Sequence, residues 1–255
     1  MTLAELTTEQ WVWGILGAIF VGLAKGGLPG MGNLTMGIYA MLFPAKASVG
    51  LLLPVLVCAD VVAIIVYRRE ARWNYVFKLL PPMVVGLFIG WYIFGSIDNE
   101  TVRIVIGGTL LAMTALHFLR KWWVQRRGNE EDTLTQSRAF AGFTGVLGGV
   151  ATMLANAAGP VAAMYLMAVR LPKIAFVGTS AWLFFMINLI KIPMQANLGT
   201  VTVTSIWVSL AFGAFAAASV PVAPLILKRI NQQVFGALVW FFVILSALNL
   251  LLRDL

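Results

Sequence analysis

Three ionisable side chains, Lys25, Asp60 and Lys191, lie within long apolar segments of the sequence. Burying such a group away from water is costly, so each one marks a candidate functional position. Asn188 precedes Lys191 by one helical turn, which lets an amide and a cation face the same cavity. This pair suits an anionic solute. The alternative for either lysine is that its side chain extends to the nearby water interface and binds nothing.

Asp60 is the sole carboxylate that lies well inside an apolar segment. A carboxylate in that position can take up and release a proton, so we predict that Asp60 is a proton-coupling residue. The alternative is a static ion pair with Lys25 that only holds the fold together.

Glycine and proline interrupt two further apolar stretches, at residues 25–33 and 156–160. Both residue types disfavour a continuous helix, so each stretch is predicted to form a pair of half-helices. The arms are too short to cross a bilayer, which takes about 20 residues. The second half-helix of each pair starts at the break, and the free N–H groups of a helix N-terminus bind anions. The alternative is that the breaks only bend the helices for packing.

Two residues at these breaks have predicted positions at a helix start. Asn33 stands where the N-cap of a half-helix beginning at Leu34 would be. Gly159 precedes Pro160, which is expected at the first helical position. Both helix starts would then point at one oxyanion.

The composition is that of a membrane protein. Of the 255 residues, 60% are hydrophobic and only 11% are charged, and the mean hydropathy is +0.90. A soluble domain has a lower apolar fraction. The net charge of +8 comes from basic residues gathered in short loops. That pattern indicates membrane topology, and it argues against nucleic-acid binding.

Several chemical classes are excluded by what the chain contains. One cysteine and one histidine cannot supply a disulfide or a His/Cys metal cluster, so neither a metal nor a cofactor is expected. The sequence also has no nucleotide-binding lysine motif and no hydrolase motif. We therefore predict that the protein is not an enzyme.

Six apolar segments are long enough to span a membrane. An offset of 128 residues superposes Val49-Gly50 on Val177-Gly178 and Asp60 on Asn188, which indicates an internal duplication. The first repeat is then 1–119, with a broken-helix hairpin at 11–43 and spans at 47–67, 76–95 and 102–119. A cytoplasmic linker, 120–138, leads to the second repeat, 139–255, with a hairpin at 139–169 and spans at 174–194, 201–219 and 234–252.

The distribution of basic residues favours re-entrant hairpins, which enter and leave on one side of the membrane. This arrangement gathers far more lysine and arginine on the cytoplasmic side than hairpins that cross would. Each repeat then has three spans, an odd number, so the two repeats have opposite orientations. The predicted fold is an all-α integral membrane protein with two inverted repeats, an architecture found in secondary transporters.

The motifs of the sequence resemble those of the sulfite exporter TauE/SafE family of membrane permeases, over nearly the whole chain. The matching motifs are Gly26-Gly27-x-x-Gly30-x-Gly32, Pro44 before Ala47-x-Val49-Gly50, Arg170-Leu171-Pro172, Phe176-Val-Gly178-Thr179-Ser180-Ala181-Trp182 and Asn188-x-x-Lys191-x-Pro193. The resemblance implies a permease for a small sulfur-containing oxyanion such as sulfite or an organosulfonate, acting as an exporter. The alternatives are a passive anion channel and a non-transporting membrane accessory protein.

The predicted location is the bacterial cytoplasmic (inner) membrane, with a multi-pass topology. The expected partners are the small anionic solute and the lipid bilayer, and a homodimer is compatible with the sequence. Adding Thr179 of the family motif completes the predicted substrate-binding set, which is Lys25, Gly26, Gly27, Asn33, Asn156, Gly159, Thr179, Asn188 and Lys191.

Overall fold

The computed structural model describes residues 3–28, 31–127, 138–169 and 171–227, together with Phe241, Ile244, Leu248 and Leu252. Across these ranges the chain is helical and has no β-strand, so the predicted all-α class is confirmed. The α-helices of the described ranges are α1 (Thr8–Lys25), α2 (Met31–Leu42), α3 (Ala45–Tyr67), α4 (Trp73–Ser96), α5 (Asn99–Arg127), α6 (Arg138–Ala155), α7 (Ala158–Ala168), α8 (Lys173–Asn197), α9 (Val203–Ser219) and α10 (Ala223–Leu227).

Helix α1 has well-defined ends. The Thr7 hydroxyl accepts a hydrogen bond from the Gln10 N–H at 3.2 Å, and the Gln10 side chain accepts one from the Thr7 N–H at 3.1 Å. This capping box satisfies two backbone donors that the helix itself cannot. At the other end, Gly27 has φ +109°, a conformation that strains any residue except glycine. The chain leaves α1 there, and we call residues 26–28, which follow α1, the first break.

The second broken helix ends in a different way. Helix α6 stops at Ala155, and Asn156 adopts a left-handed φ of +53°. Asparagine tolerates this conformation better than most residues with a Cβ. Helix α7 then starts at Ala158, so the turn between the two helices, which we call the second break, consists of residues 156–157.

Four helical segments in the described ranges are long and apolar enough to cross a membrane. They are Ala45–Tyr67, Trp73–Ser96, Lys173–Asn197 and Val203–Leu225, and they coincide with four of the six predicted spans. The predicted span 102–119 lies within α5, which is not one of the four, and 234–252 falls almost entirely outside the described residues. These two spans stay predictions.

The predicted linker 120–138 overlaps the ends of two helices, and it stays a prediction. Helix α5 continues through this region to Arg127 because nothing in the sequence up to that residue breaks a helix. The first part of the linker is thus helical, Arg138 already belongs to α6, and residues 128–137 lie outside the described ranges.

At the start of α5, Asp98 accepts hydrogen bonds from Thr101, and these bonds hold the pKa of the Asp98 carboxyl below its usual range.

Glycines bring helices of the two halves of the chain into close contact. A Cβ on Gly86 of α4 would lie 2.1 Å from the Val146 carbonyl oxygen of α6, and a Cβ on Gly149 would lie 2.1 Å from the Met83 oxygen. On the other side of the bundle, a Cβ on Gly22 of α1 would be 2.0 Å from the Ala216 oxygen of α9. Small residues of this kind let membrane helices pack backbone to backbone. The arm of each broken helix therefore packs on a span of the other half.

Candidate functional site

The centre of the candidate site is Asp60, in the middle of α3. Its side chain is fully buried, and one carboxylate oxygen forms an ion pair with Lys25 Nζ at 2.6 Å. The other oxygen accepts a hydrogen bond from Asn188 Nδ2 at 2.7 Å. Residues that the internal duplication superposes, 128 positions apart, are thus in direct contact between α3 and α8. The carboxylate thus has an ion pair at one oxygen and a hydrogen bond at the other, and both offset the cost of burying its charge.

Lys25 reaches Asp60 because it is the last residue of α1, next to the first break. Its side chain is 13% exposed, and Nζ lies 4.6 Å from the centre of the Phe184 ring, so the cation has an aromatic contact as well as its ion pair. The adjacent break is held by Tyr67, whose hydroxyl donates to the Gly26 carbonyl oxygen at 3.0 Å. Gly26 itself has no room for a side chain, since a Cβ would lie 2.4 Å from the Val220 oxygen.

Lys191 lies against the second break and is fully buried. Its Nζ donates to the Thr152 carbonyl oxygen at 2.7 Å, to Asn156 Oδ1 at 2.5 Å and to the Thr152 hydroxyl at 3.3 Å. Asn156 in turn donates to the Val49 carbonyl oxygen of α3 at 3.0 Å. The predicted alternative, in which Lys191 extends to the water interface, is wrong in this conformation because the side chain turns inward to α6.

The two lysines differ in their partners. Lys25 pairs with a carboxylate, whereas the three acceptors of Lys191 are all neutral. Across the described ranges, no carboxylate lies within ion-pair distance of Lys191. A buried ammonium group held only by neutral oxygens is a place where an anion gains most from binding.

The structure corrects the predicted helix starts at both breaks. Asn33 is the third residue of α2 and not its N-cap, because the helix already begins at Met31. Gly159 is the second residue of α7, since Asn156 makes the turn and the helix begins at Ala158, before Pro160. Asn33 is nevertheless buried in the first turn of α2, at 4% exposure, and its Nδ2 has no hydrogen-bond partner. It is an unused donor beside the free N–H groups of that helix.

Thr179 is buried, and its hydrogen bonds are with backbone groups. Its hydroxyl donates to the Ala175 oxygen at 2.6 Å and accepts from the Arg72 N–H at 3.0 Å, which fixes the turn between α3 and α4. The nine positions between Thr179 and Asn188 correspond to two and a half helical turns at about 100° per residue, which places the two side chains on opposite faces of α8. In this conformation Thr179 stabilises the turn between α3 and α4.

Three residues that contribute to the site were not predicted from the sequence. They are Thr152, Tyr67 and Gln195. Gln195 lies one turn beyond Lys191, is fully buried and donates to the Met153 oxygen at 3.3 Å. Its spacing from Asn188 and Lys191, at positions i, i+3 and i+7, is a signal that would have identified it. Thr152 and Tyr67 gave no such signal, because each acts on the backbone or on a lysine of a distant segment.

A cavity lies elsewhere in the described part of the chain. Its volume is about 490 Å³, and its lining residues are Ala40 to Ala45, Asn99, Glu100 and Arg103, at the corner between α2 and α3. None of the buried polar residues named above lines it. In this conformation Asp60 and Lys191 are fully buried, whereas Lys25 is 13% exposed.

A comparison with known protein families gives one match. The family model described as Sulfite exporter TauE/SafE matches residues 14–250. The match includes both breaks, both lysines and the whole of α3 and α8. Among curated proteins and among solved structures, nothing matches the chain at a significant level.

Proposed function

The chain belongs to the sulfite exporter TauE/SafE family, a family of membrane transporters, and from this premise we propose that it is a secondary transporter. We propose that it carries a small sulfur-containing oxyanion, such as sulfite or an organosulfonate, and acts as an exporter. Its location would be the bacterial cytoplasmic membrane, where it crosses the lipid bilayer several times and can form a homodimer. No catalytic reaction is part of this proposal.

The observation that carries the proposal is the position of two lysines at two helix breaks. Lys25 ends α1 at the first break, and Lys191 donates to Asn156 at the second. Helix breaks inside transporters leave backbone N–H groups free for an anionic solute. A cation beside such a break adds the charge that an oxyanion needs. The unpaired Asn33 Nδ2 supplies a further neutral donor at the start of α2.

In the proposed binding step, the anion takes the place of a neutral acceptor of Lys191. The ammonium group now donates to Asn156 Oδ1 and to Thr152. An oxyanion that displaces Asn156 replaces a neutral acceptor of Lys191 by a charged one, so the contact becomes an ion pair. The released Asn156 also frees the second break to move. The remaining predicted ligands, Gly27, Gly159 and Asn188, would then line the opened site.

We also propose that the two halves are inverted repeats with re-entrant hairpins. Equivalent contacts recur in both halves, which supports the proposal: α1 packs on α9 as α6 packs on α4. Gly50 of α3 meets the turn at Thr200, and its equivalent Gly178 of α8 meets the turn at Glu70. The contact between Asp60 and Asn188 lies where a twofold axis would relate α3 to α8.

Proton coupling through Asp60 is the final part of the proposal. Asp60 is fully buried, and the Lys25 partner that balances it stands at the first break. A movement of that break would separate the pair and change the environment of the carboxylate, as a coupling group requires.

Solute counterflow in proteoliposomes tests the transporter proposal. Vesicles loaded with unlabelled sulfite should take up labelled sulfite transiently above equilibrium, and the rate should saturate with concentration. A passive channel gives flux without counterflow, and an accessory protein gives no flux. Either result would replace the transporter by the corresponding alternative.

A further inference from the structure

The helices pack into two groups that do not coincide with the two halves of the chain. Helices α1, α2 and α3 of the first half pack with α9 of the second half around one apolar core. Helices α6, α7 and α8 of the second half pack with α4 of the first half around another. We call these groups unit 1 and unit 2, and helix α5 contacts both. The halves have thus exchanged one span, because α4 and α9 occupy equivalent positions under the offset of 128 residues.

Contacts inside each unit are close. A Cβ on Gly145 of α6 would lie 2.8 Å from Pro82 Cβ of α4, and a Cβ on Gly213 of α9 would lie 3.1 Å from Cys58 Cβ of α3. Helices that pack so tightly cannot slide past each other without atomic overlap. Because both contacts join the two halves of the chain, they hold helices of different halves in one rigid group.

The surface between the two units carries the polar side chains of the candidate site. Lys25 and Asp60 belong to unit 1, whereas Asn188 and Asn156 belong to unit 2. The hydrogen bonds of Asn188 with Asp60 and of Asn156 with the Val49 oxygen cross this surface. Apolar contacts also cross it, from three residues at the end of α6 and in the second break: Leu154, Ala155 and Ala157. Hydrogen bonds can be exchanged for bonds to water or a solute at a small net cost, whereas a close-packed core has no such substitute. The surface between the units is therefore easier to open than either core.

We infer that transport moves unit 1 against unit 2, and not one half of the chain against the other. This inference rests on the proposed function and adds the moving parts to it. In transporters built from repeats, one repeat or bundle moves against the other around the binding site. Movement of the halves would break the packing of α4 on α6, of α3 on α9 and of α1 on α9. Movement of the units keeps all three and opens the surface between α3 and α8, where Asp60 contacts Asn188.

Distances between pairs of spin labels distinguish the two movements. Exposed residues are replaced by cysteine in the variant Cys58→Ala, which has no cysteine left because Cys58 is the single one in the chain. Val12 of α1 and Tyr92 of α4 lie in the same half but in different units. Tyr92 with Phe143 of α6, and Val12 with Trp207 of α9, each join the two halves within one unit. Gd(III) labels attached through thioethers are suitable, because sulfite cleaves disulfides.

The distances are measured by double electron–electron resonance in proteoliposomes, with and without saturating sulfite. The distance between the labels at Val12 and Tyr92 should shift, and both distances within the units should stay the same. The reverse pattern, with a fixed distance between Val12 and Tyr92 and shifts in the other two pairs, overturns the inference. Three fixed distances, or any shift within a unit, overturn it as well.

A cross-link inside unit 1 gives a second test. Gly213→Cys places a thiol next to Cys58, and dibromobimane joins the two thiols through thioethers. The cross-linked protein should keep the sulfite counterflow that the same variant has before cross-linking, since the cross-link ties α3 to α9 and leaves the units free to move. Loss of counterflow on cross-linking overturns the inference. If Gly213→Cys does not fold, the spin-label distances decide alone.

Sulfite counterflow by the unlabelled wild-type protein tests the proposed function separately. If the wild type shows counterflow and the distances or the cross-link contradict the movement of the units, the inference fails and the transporter proposal stands. If the wild type shows no counterflow, both fail together.

Discussion

Replacing Asp60 by asparagine tests the role of the buried ion pair most directly. The amide has nearly the same shape and can keep a hydrogen bond with Asn188, so the packing should survive. The change removes the carboxylate that lies 2.6 Å from Lys25 Nζ. Breaking a buried ion pair from one side costs about 3–5 kcal/mol, because the remaining charge is left without compensation. Lys25 is 13% exposed and contacts the Phe184 ring, so we expect the lower end, about 3 kcal/mol.

The same variant, Asp60→Asn, distinguishes substrate exchange across the membrane from transport driven by a pH gradient. If Asp60 couples transport to protons, Asp60→Asn should still exchange substrate across the membrane but should no longer respond to a pH gradient, since an amide releases no proton. Proteoliposome flux with and without an imposed gradient measures this loss, and thermal unfolding in detergent measures the loss of stability. The double variant Lys25→Met with Asp60→Asn should recover most of the stability and none of the gradient response.

Two results would refute this reasoning. A variant as stable as the wild type would mean that the ion pair does not contribute as its geometry indicates. A variant that unfolds early yet still accelerates with the pH gradient would leave Asp60 as a static partner of Lys25. Asp98→Asn is the matched control, since it removes a carboxylate that lies on the surface.

Further predictions concern the anion, the packing and the topology. Lys191→Gln should weaken sulfite binding about tenfold or more in calorimetry and leave the fold intact, because glutamine keeps N–H donors; unchanged affinity would remove Lys191 from the site. Gly86→Ala should lower the free energy of unfolding by about 1–3 kcal/mol, because its methyl group meets the Val146 oxygen. Gly108→Ala is the control: a Cβ there meets nothing within 4 Å, so the free energy of unfolding should not fall in the same way. Reporter fusions should place segment 120–138 in the cytoplasm and both termini outside, and termini on the linker's side would contradict the inverted repeat.

The sequence was sufficient to predict the helical class, the segments where helices break and the buried ionisable residues. Each of these depends on a strong local preference. Glycine disfavours a continuous helix, and a charged side chain is costly to place in lipid. The start of α2 could not be predicted, because a run of glycines lets a helix begin at any of several positions, and it begins at Met31 before Asn33. The partners of Lys191 were also beyond prediction, since Thr152 and Asn156 approach it from a segment 35 to 39 residues away.

The close glycine contacts between the two halves have a consequence for biosynthesis. Ser219, at the end of α9, donates a hydrogen bond to the Ile19 oxygen of α1, 200 positions earlier, and Gly22 of α1 packs so closely on Ala216 that a Cβ would not fit. When the ribosome has completed the first half, α1 therefore still lacks α9, on which it packs. Helix α4 likewise still lacks its packing partner α6. Contacts so distant along the chain form late. The amino-terminal half on its own should remain an unfinished insertion intermediate, which the quality-control proteases of the membrane would recognise, and its assembly should be completed when the second half is supplied as a separate polypeptide.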